Sequence, residues 1–234
     1  VQPIAEIAKL LRASNIFCPF VSDATHFLDK TSQRVEDLFL AGVTAVAFSG
    51  QKIGAIPGIG AMAFSKYESV CHQFTSLICG GGQEGRLRSG TENLIGAVAL
   101  GAVCHALGSS AERQRISDLR ESLFSQVTKG TQAVVRVTPD SSHSTCNTLM
   151  LMFEGVRADD LVVSLDLNGL CASAGSACSS GKQLVSPVLS SMGYGAKEAG
   201  SCVRFSLDWD CNQEIIDTAS QVIITSVAKL REFS

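Results

Sequence analysis

Ile4, Ile7, Ala8 and Leu11 recur at helical spacing, which predicts an amphipathic helix over 3–13. Continuous apolar runs follow. Phe17 to Val21 reads as a short strand ending at Ser22-Asp23, and Val43 to Phe48 as a second ending at Ser49. Neither run alternates with polar residues, so both predict strands covered on two faces, as in a parallel sheet. A third strand, Ile59 to Phe64, follows the turn signal Pro57-Gly58. The polar, Gly- and Arg-rich stretch Gly80 to Gly90 reads as a loop, and Thr91-Glu92-Asn93 opens a long apolar helix through Leu107.

The pattern changes after the small linker Gly108-Ser109-Ser110. Ile116, Leu119, Leu123 and Val127 mark a helix, Val134 to Val137 and Thr148 to Phe153 read as strands, and Asp159 to Leu167 reads as a helix. Leu170 to Ser173 predicts a strand running into a small-residue loop, Val203 to Leu207 another strand, and Ile216, Ala219, Ile223, Val227 and Leu230 a closing helix. The chain is α/β throughout, with two domains, 1–108 and 109–234. It has no internal repeat and no low-complexity tail.

At 234 residues and 45% hydrophobic, the chain has a globular composition of that size. A net charge of −3 offers no basic field for nucleic acid. No stretch is long and apolar enough to predict a membrane span, and the chain opens without a signal-peptide pattern. Nine cysteines without regular spacing suit a reducing compartment, so a cytoplasmic location is expected, or the mitochondrial matrix in a eukaryote. No metal site is expected, because there is no C-x-x-C or H-x-x-x-H. Gly175 to Lys182 approaches a phosphate loop, but it has one residue too many and Gln183 stands where Ser or Thr would hold magnesium.

Eight cysteines lie in or beside apolar runs or near a helix start and read as structural. Cys178 differs. It sits in Ser173 to Lys182, SAGSACSSGK, where eight of ten residues are Gly, Ala or Ser. That composition predicts a mobile, exposed loop carrying one soft nucleophile. Two strand ends carry further chemistry, and ligands of open parallel sheets bind at such ends. Lys52, directly after the second strand in Ser49-Gly50-Gln51-Lys52, is a candidate Schiff-base former for a carbonyl cofactor. Asp23, at the first strand end, is placed to pair with a protonated ring nitrogen, as pyridoxal phosphate requires.

SDATH (22–26), SGQKIGAIPGIGA (49–61), GGGQEGRLRSGTEN (80–93), SAGSACSSG (173–181) and CVRFS (202–206) occur in an order that resembles the cysteine desulfurases of the NifS and IscS type, within the class V aminotransferase group. The resemblance runs over nearly the whole chain and implies a partial pyridoxal-phosphate-dependent transferase of fold type I. Residues 1–108 would be the carboxy-terminal part of the large cofactor-binding domain, with a mostly parallel sheet. Residues 109–234 would be the small α+β domain with the cysteine loop. It also implies site roles: Lys52 as the covalent cofactor link, Asp23 at the ring nitrogen, His26 near the phenolic oxygen, Ser49 and Gln51 at the phosphate, and Thr91 at the phosphate of the neighbouring subunit of a homodimer. Arg204 would clamp the carboxylate of the substrate L-cysteine, and Cys178 would take its sulfur as a persulfide, releasing alanine. The persulfide would then pass to a sulfur-acceptor or iron–sulfur scaffold protein.

The chain departs from that pattern in places. Gln51 stands where the family usually has His, and His26 where it usually has Gln, so each swap keeps a hydrogen-bond donor. Gly85-Arg86 are reversed in order, and Asp208 stands where Gly is frequent. Val1 resembles a point in the middle of a family member, so the chain is expected to be a carboxy-terminal portion. Two other readings stay open: a truncated or degenerate homologue that acts as a binding or scaffold module, and another class V enzyme such as a selenocysteine lyase. Cys178 in its loop separates sulfur transfer from ordinary aminotransfer, which needs no thiol.

Overall fold

A computed structural model describes residues 1–16, 18–139, 143–174 and 186–232. Cys178 lies outside the described residues. The chain forms two compact units, Val1–Ser109 and Ser110–Ser234.

In the first unit α1 (Ile4–Ala13) leads into β1 (Val21–Asp23), then α2 (Val35–Ala41), β2 (Ala45–Ser49), β3 (Gly60–Phe64), the one-turn α3 (Tyr67–Val70) and α4 (Leu94–Ala106). Phe17, where the sequence places the start of the first strand, lies outside the described residues; Cys18 to Phe20 are not part of β1, and Pro19 has no N–H to give a ladder. β1 runs parallel to β2, with Val21 opposite Ala45 and Asp23 opposite Ala47. β3 returns antiparallel to β2, Ser49 facing Gly60. The described sheet is therefore mixed, where continuous apolar runs pointed to a mostly parallel one. Two-sided burial does not encode strand direction, and the ten residues between β2 and β3 turn back instead of crossing over.

α1 and α2 cover the middle of this sheet through Ala8, Leu38, Ala41, Val43 and Val46. Towards the other end Ile53, Ala55 and Leu100 form a second cluster with Leu28, Phe48, Ile59 and Val103 around them. α4 is apolar on every side and leaves Leu94, Ile95 and Val98 exposed. Asn93 caps it, its Oδ1 accepting from the Gly96 N–H at 2.9 Å.

The second unit contains α5 (Ser110–Gly130), β4 (Val134–Arg136), β5 (Thr148–Phe153), α6 (Ala158–Leu167), β6 (Ser173–Ala174), α7 (Pro187–Ser191), α8 (Ala196–Ala199), β7 (Cys202–Ser206) and α9 (Gln213–Glu232). Its sheet is antiparallel in the order β4-β5-β7-β6. Leu149, Leu151, Phe153, Val203 and Phe205 point from this sheet into a core completed by Ile116, Leu123, Leu161, Leu165, Ile223 and Val227 of α5, α6 and α9. Phe153 and Phe205 meet edge to face at 6.4 Å. Val137, Met152 and Cys202 pack with Leu189 and Ala199 in a separate cluster formed with the short helices α7 and α8.

One charged group is sealed in this unit. Arg120 is 0% exposed. Its guanidinium donates to the Thr145 carbonyl at 2.6 Å, to Ser144 Oγ at 3.0 Å and to Glu121 Oε1 at 2.7 Å. Glu121 also accepts from Arg136 at 2.6 Å. Hydrogen bonding by Arg136, with a further bond from Arg120 and against some desolvation, holds the Glu121 carboxyl below its ordinary 4.5. A depressed carboxylate contributes stability above its unfolded pKa and loses it as pH falls through the folded value. Glu121 keeps 43% of its side chain exposed, so solvent screens part of the effect. Glu121→Gln is expected to lower stability by about 1–2 kcal/mol at neutral pH, and by progressively less as pH falls below 4.5. Urea midpoints of both proteins at pH 7 and at pH 3 check this.

The eight described cysteines are free thiols, but burial does not follow their apolar neighbours in sequence. Cys202 is buried, and burial pushes its thiol up. Cys18, Cys79, Cys104 and Cys171 are exposed. The clearest reason is at Cys104: α4 is apolar all round, so an apolar neighbour there does not mark an inner face.

Candidate active site

Residues opposite each other in neighbouring strands share a face, and so do alternate residues along one strand. Asp23 pairs with Ala47, so Asp23, Ala47 and Ser49 all stand on one face, at the carboxyl ends of the two parallel strands. On the same face Val21 and Met62, in the outer strands, are 41% and 42% exposed while Ala45 in the central strand is 0% exposed, so the described unit leaves this side only partly covered. Ser22 and Val46 point the other way, into the sheet's packed side. Ala47 between the two polar residues is small. The arrangement is a shallow shelf with a carboxylate on one strand and a hydroxyl on the next.

The Asp23 carboxylate is locally organised. Its Oδ1 accepts the Thr25 N–H at 2.8 Å, the Asx-turn geometry that ends a strand, and Ala24 N–H continues the ladder to the Ala47 carbonyl at 2.7 Å. Hydrogen bonds from Thr25, by its side chain and then its backbone, pull the Asp23 pKa below 3.8, and the charge of His26 adds to this. Asp23 is therefore a firm anion at neutral pH. His26 follows in the same turn, with an exposed side chain.

β2 ends at Ser49 and continues directly into a 3-10 turn, Gly50–Ile53. Gly54 closes that turn with φ +98°, a conformation that favours glycine. Ile53 and Ala55 anchor it in the cluster beneath, while Gln51 and Lys52 point outward and are exposed. The sequence places Lys52 in a loop; the structure makes it part of an anchored turn with the amine in solvent. The Lys52 carbonyl accepts a hydrogen bond from Lys30 Nζ at 2.9 Å. Thr91 is exposed in the approach to α4, ahead of the Asn93 cap.

Arg204 belongs to the second unit. It lies on β7 between Met150 of β5 and Ser173 of β6, half-buried, on the sheet face it shares with Cys202. Cys178 cannot be placed with it, being outside the described residues. Among the described residues no group of His, Cys, Asp and Glu is arranged to hold a metal ion, and no single helix is long and apolar enough to cross a membrane.

Thus the structure brings Asp23, His26, Ser49, Gln51 and Lys52 to one end of one sheet. Two neighbours escaped the sequence reading. Thr25 carried a signal, since Asp-x-Thr at a strand end favours an Asx turn. Lys30 carried none, because its contact spans 22 residues.

The donor set suits a phosphorylated, cationic-ring carbonyl compound. Asp23 supplies a fixed anion, Ser49 and Gln51 supply neutral donors for phosphate oxygens, and Lys52 supplies an accessible amine. The comparisons agree in kind. A cysteine desulfurase IscS of Ehrlichia chaffeensis is 32% identical over all of this chain and 55% of its own length. The NifS-like protein of Rickettsia africae superposes with a TM-score of 0.79 at 27% identity, over 97% of this chain and 57% of its own. SspA, solved in complex with cysteine, gives 0.68 at 26% identity over 88% of this chain and 55% of its own. The chain spans about half the length of the curated relatives it matches. The family described as Aminotransferase class-V matches residues 1–218, and the chain belongs to that family.

Proposed function

We propose that the chain is part of a pyridoxal-phosphate-dependent cysteine desulfurase, which takes sulfur from L-cysteine and leaves alanine. The observation that carries this reading is the shelf itself: an ionised Asp23 and Ser49 on one sheet face, one anchored turn away from the exposed amine of Lys52. The names of the relatives, and the cysteine bound to SspA, support the choice of substrate.

Bound on this shelf, pyridoxal phosphate would supply the electron sink that lets the Cβ–S bond of cysteine break. Lys52 would hold its carbonyl carbon covalently. Asp23 would accept from the ring N–H and keep that proton in place. His26 would donate near the phenolic oxygen, Ser49 and Gln51 to the phosphate, and Thr91 to the phosphate held by a second subunit. Arg204 would orient the substrate carboxylate with its planar fork. The Cys178 thiolate would attack the substrate sulfur. An S–S bond forms as the C–S bond breaks, the electron pair goes to carbon, carbon takes a proton, and alanine leaves. The persulfide on Cys178 would pass to an acceptor or iron–sulfur scaffold protein. A homodimer accords with the exposed Leu94, Ile95 and Val98 of α4, an apolar face suited to an interface.

The carboxylate gives the first test. Asp23→Asn removes the charge but keeps the turn's shape. It is expected to raise the half-saturation of the visible-edge absorbance band formed with pyridoxal phosphate by about tenfold, the size of a charge-assisted hydrogen bond. Equal half-saturation in both proteins would take Asp23 out of the site.

A further inference from the structure

The Lys52 turn is tied to the Asp23 turn at two points, and one of them is an ammonium group. The carbonyls at the end of a 3-10 turn have no partner within the turn, and a cation is favoured there. In Gly50–Ile53 the Gly50 carbonyl accepts from Ala55 at 2.9 Å, and the Lys52 carbonyl is met from outside by Lys30 Nζ at 2.9 Å. Lys30 is delivered by a compact reversal after β1. Phe27 N–H returns to the Ala24 carbonyl at 2.9 Å. Leu28 packs beside Ile53 in the cluster under the turn. Asp29 then adopts φ +63° while only 7% exposed. A buried non-glycine residue in the left-handed region is uncommon and persists where its surroundings demand it. Here it sends Leu28 down into the apolar cluster and lets Lys30 reach the turn.

We propose that Lys30 is a positioning residue: its ammonium clamps the Lys52 carbonyl and so fixes the backbone from which the Lys52 amine projects, in register with Asp23. Leu28 supplies the apolar half of the tie and Lys30 the polar half. The inference rests on the proposed role of Lys52, but the clamp itself can be read without any cofactor.

The experiment compares the wild-type chain, Lys30→Met and Lys30→Arg. Amide hydrogen exchange at Gly54 and Ala55, whose N–H groups return to Gly50, reads the turn in cofactor-free protein. Titration with pyridoxal phosphate reads the amine through the absorbance band. Lys30→Met is expected to speed exchange at these amides by about tenfold and to raise the half-saturation by a similar factor, with far-ultraviolet circular dichroism unchanged. Lys30→Arg, which keeps a charged donor, is expected to restore both. A merely space-filling role predicts no such rescue. Unchanged exchange in Lys30→Met, or equal exchange in Lys30→Met and Lys30→Arg, overturns the proposal. A wild-type chain that forms no band defeats the cofactor reading instead, and exchange still decides the clamp. Should Lys30→Met fail to fold, Lys30→Gln, too short to reach the carbonyl with its amide, is read in the same way.

Discussion

Lys52→Ala abolishes the visible-edge absorbance band that the wild-type chain develops with pyridoxal phosphate. This is the expected result, and its size follows from chemistry. The band comes from a covalent bond to an amine, and Lys52 carries the exposed amine of the turn that directly follows Ser49, whereas the Lys30 amine is engaged by the Lys52 carbonyl. The substitution itself is mild. The Lys52 side chain is exposed, the turn is anchored by Ile53 and Ala55, and alanine is compatible with a 3-10 turn. The Lys52 contact to Lys30 uses the backbone carbonyl and survives truncation of the side chain. Stability is therefore expected to stay within about 0.5 kcal/mol of wild type, as for surface changes in general. Absorbance titration and a urea melt separate the two effects. A variant that keeps the band places the bond elsewhere.

Cys178→Ser removes persulfide formation altogether and leaves that band unchanged. A serine hydroxyl is nearly isosteric with a thiol but is not a useful nucleophile toward sulfur at neutral pH, whereas a thiol has an appreciable thiolate fraction. Nothing large surrounds Cys178 in sequence that a changed side chain could disturb. The measurement incubates each protein with pyridoxal phosphate and L-cysteine, alkylates it, and reads the mass of the Cys178 peptide. One added sulfur in the wild type and none in Cys178→Ser is the expected pair. Added sulfur on Cys18, Cys79, Cys104 or Cys171 instead would move the acceptor to one of the exposed thiols that the fold presents.

The residues that proved easiest to read were those whose neighbours in sequence are also their neighbours in space. Asp23 and Ser49 close two apolar runs, and such runs end where a parallel sheet exposes its carboxyl edge. The helices α5 and α9 were legible because Ile116, Leu119, Leu123 and Val127, and Ile216, Ala219, Ile223 and Val227, repeat at helical spacing over many turns. Short elements were not. α2 is seven residues long and held by the reciprocal contact of Arg34 and Asp37, a local device without a long period. α7 and α8 are shorter still, and Leu189 and Ala199 matter because of the sheet face beneath them. The direction of β3 was hidden because Gly60 to Phe64 is apolar whichever way it runs. Arg120 was hidden most completely. A charged residue on a helix predicts an outer position, and partners such as the Thr145 carbonyl, Ser144 and Glu121 make its burial tolerable.

Borohydride reduction of the wild-type chain incubated with pyridoxal phosphate, followed by peptide mass mapping, shows where the covalent bond forms. A single reduced adduct on Lys52 is the predicted result. An adduct on Lys30 or Lys66 in place of Lys52, or adducts scattered evenly over surface lysines, would contradict the site built on Asp23, Ser49 and the Gly50–Ile53 turn.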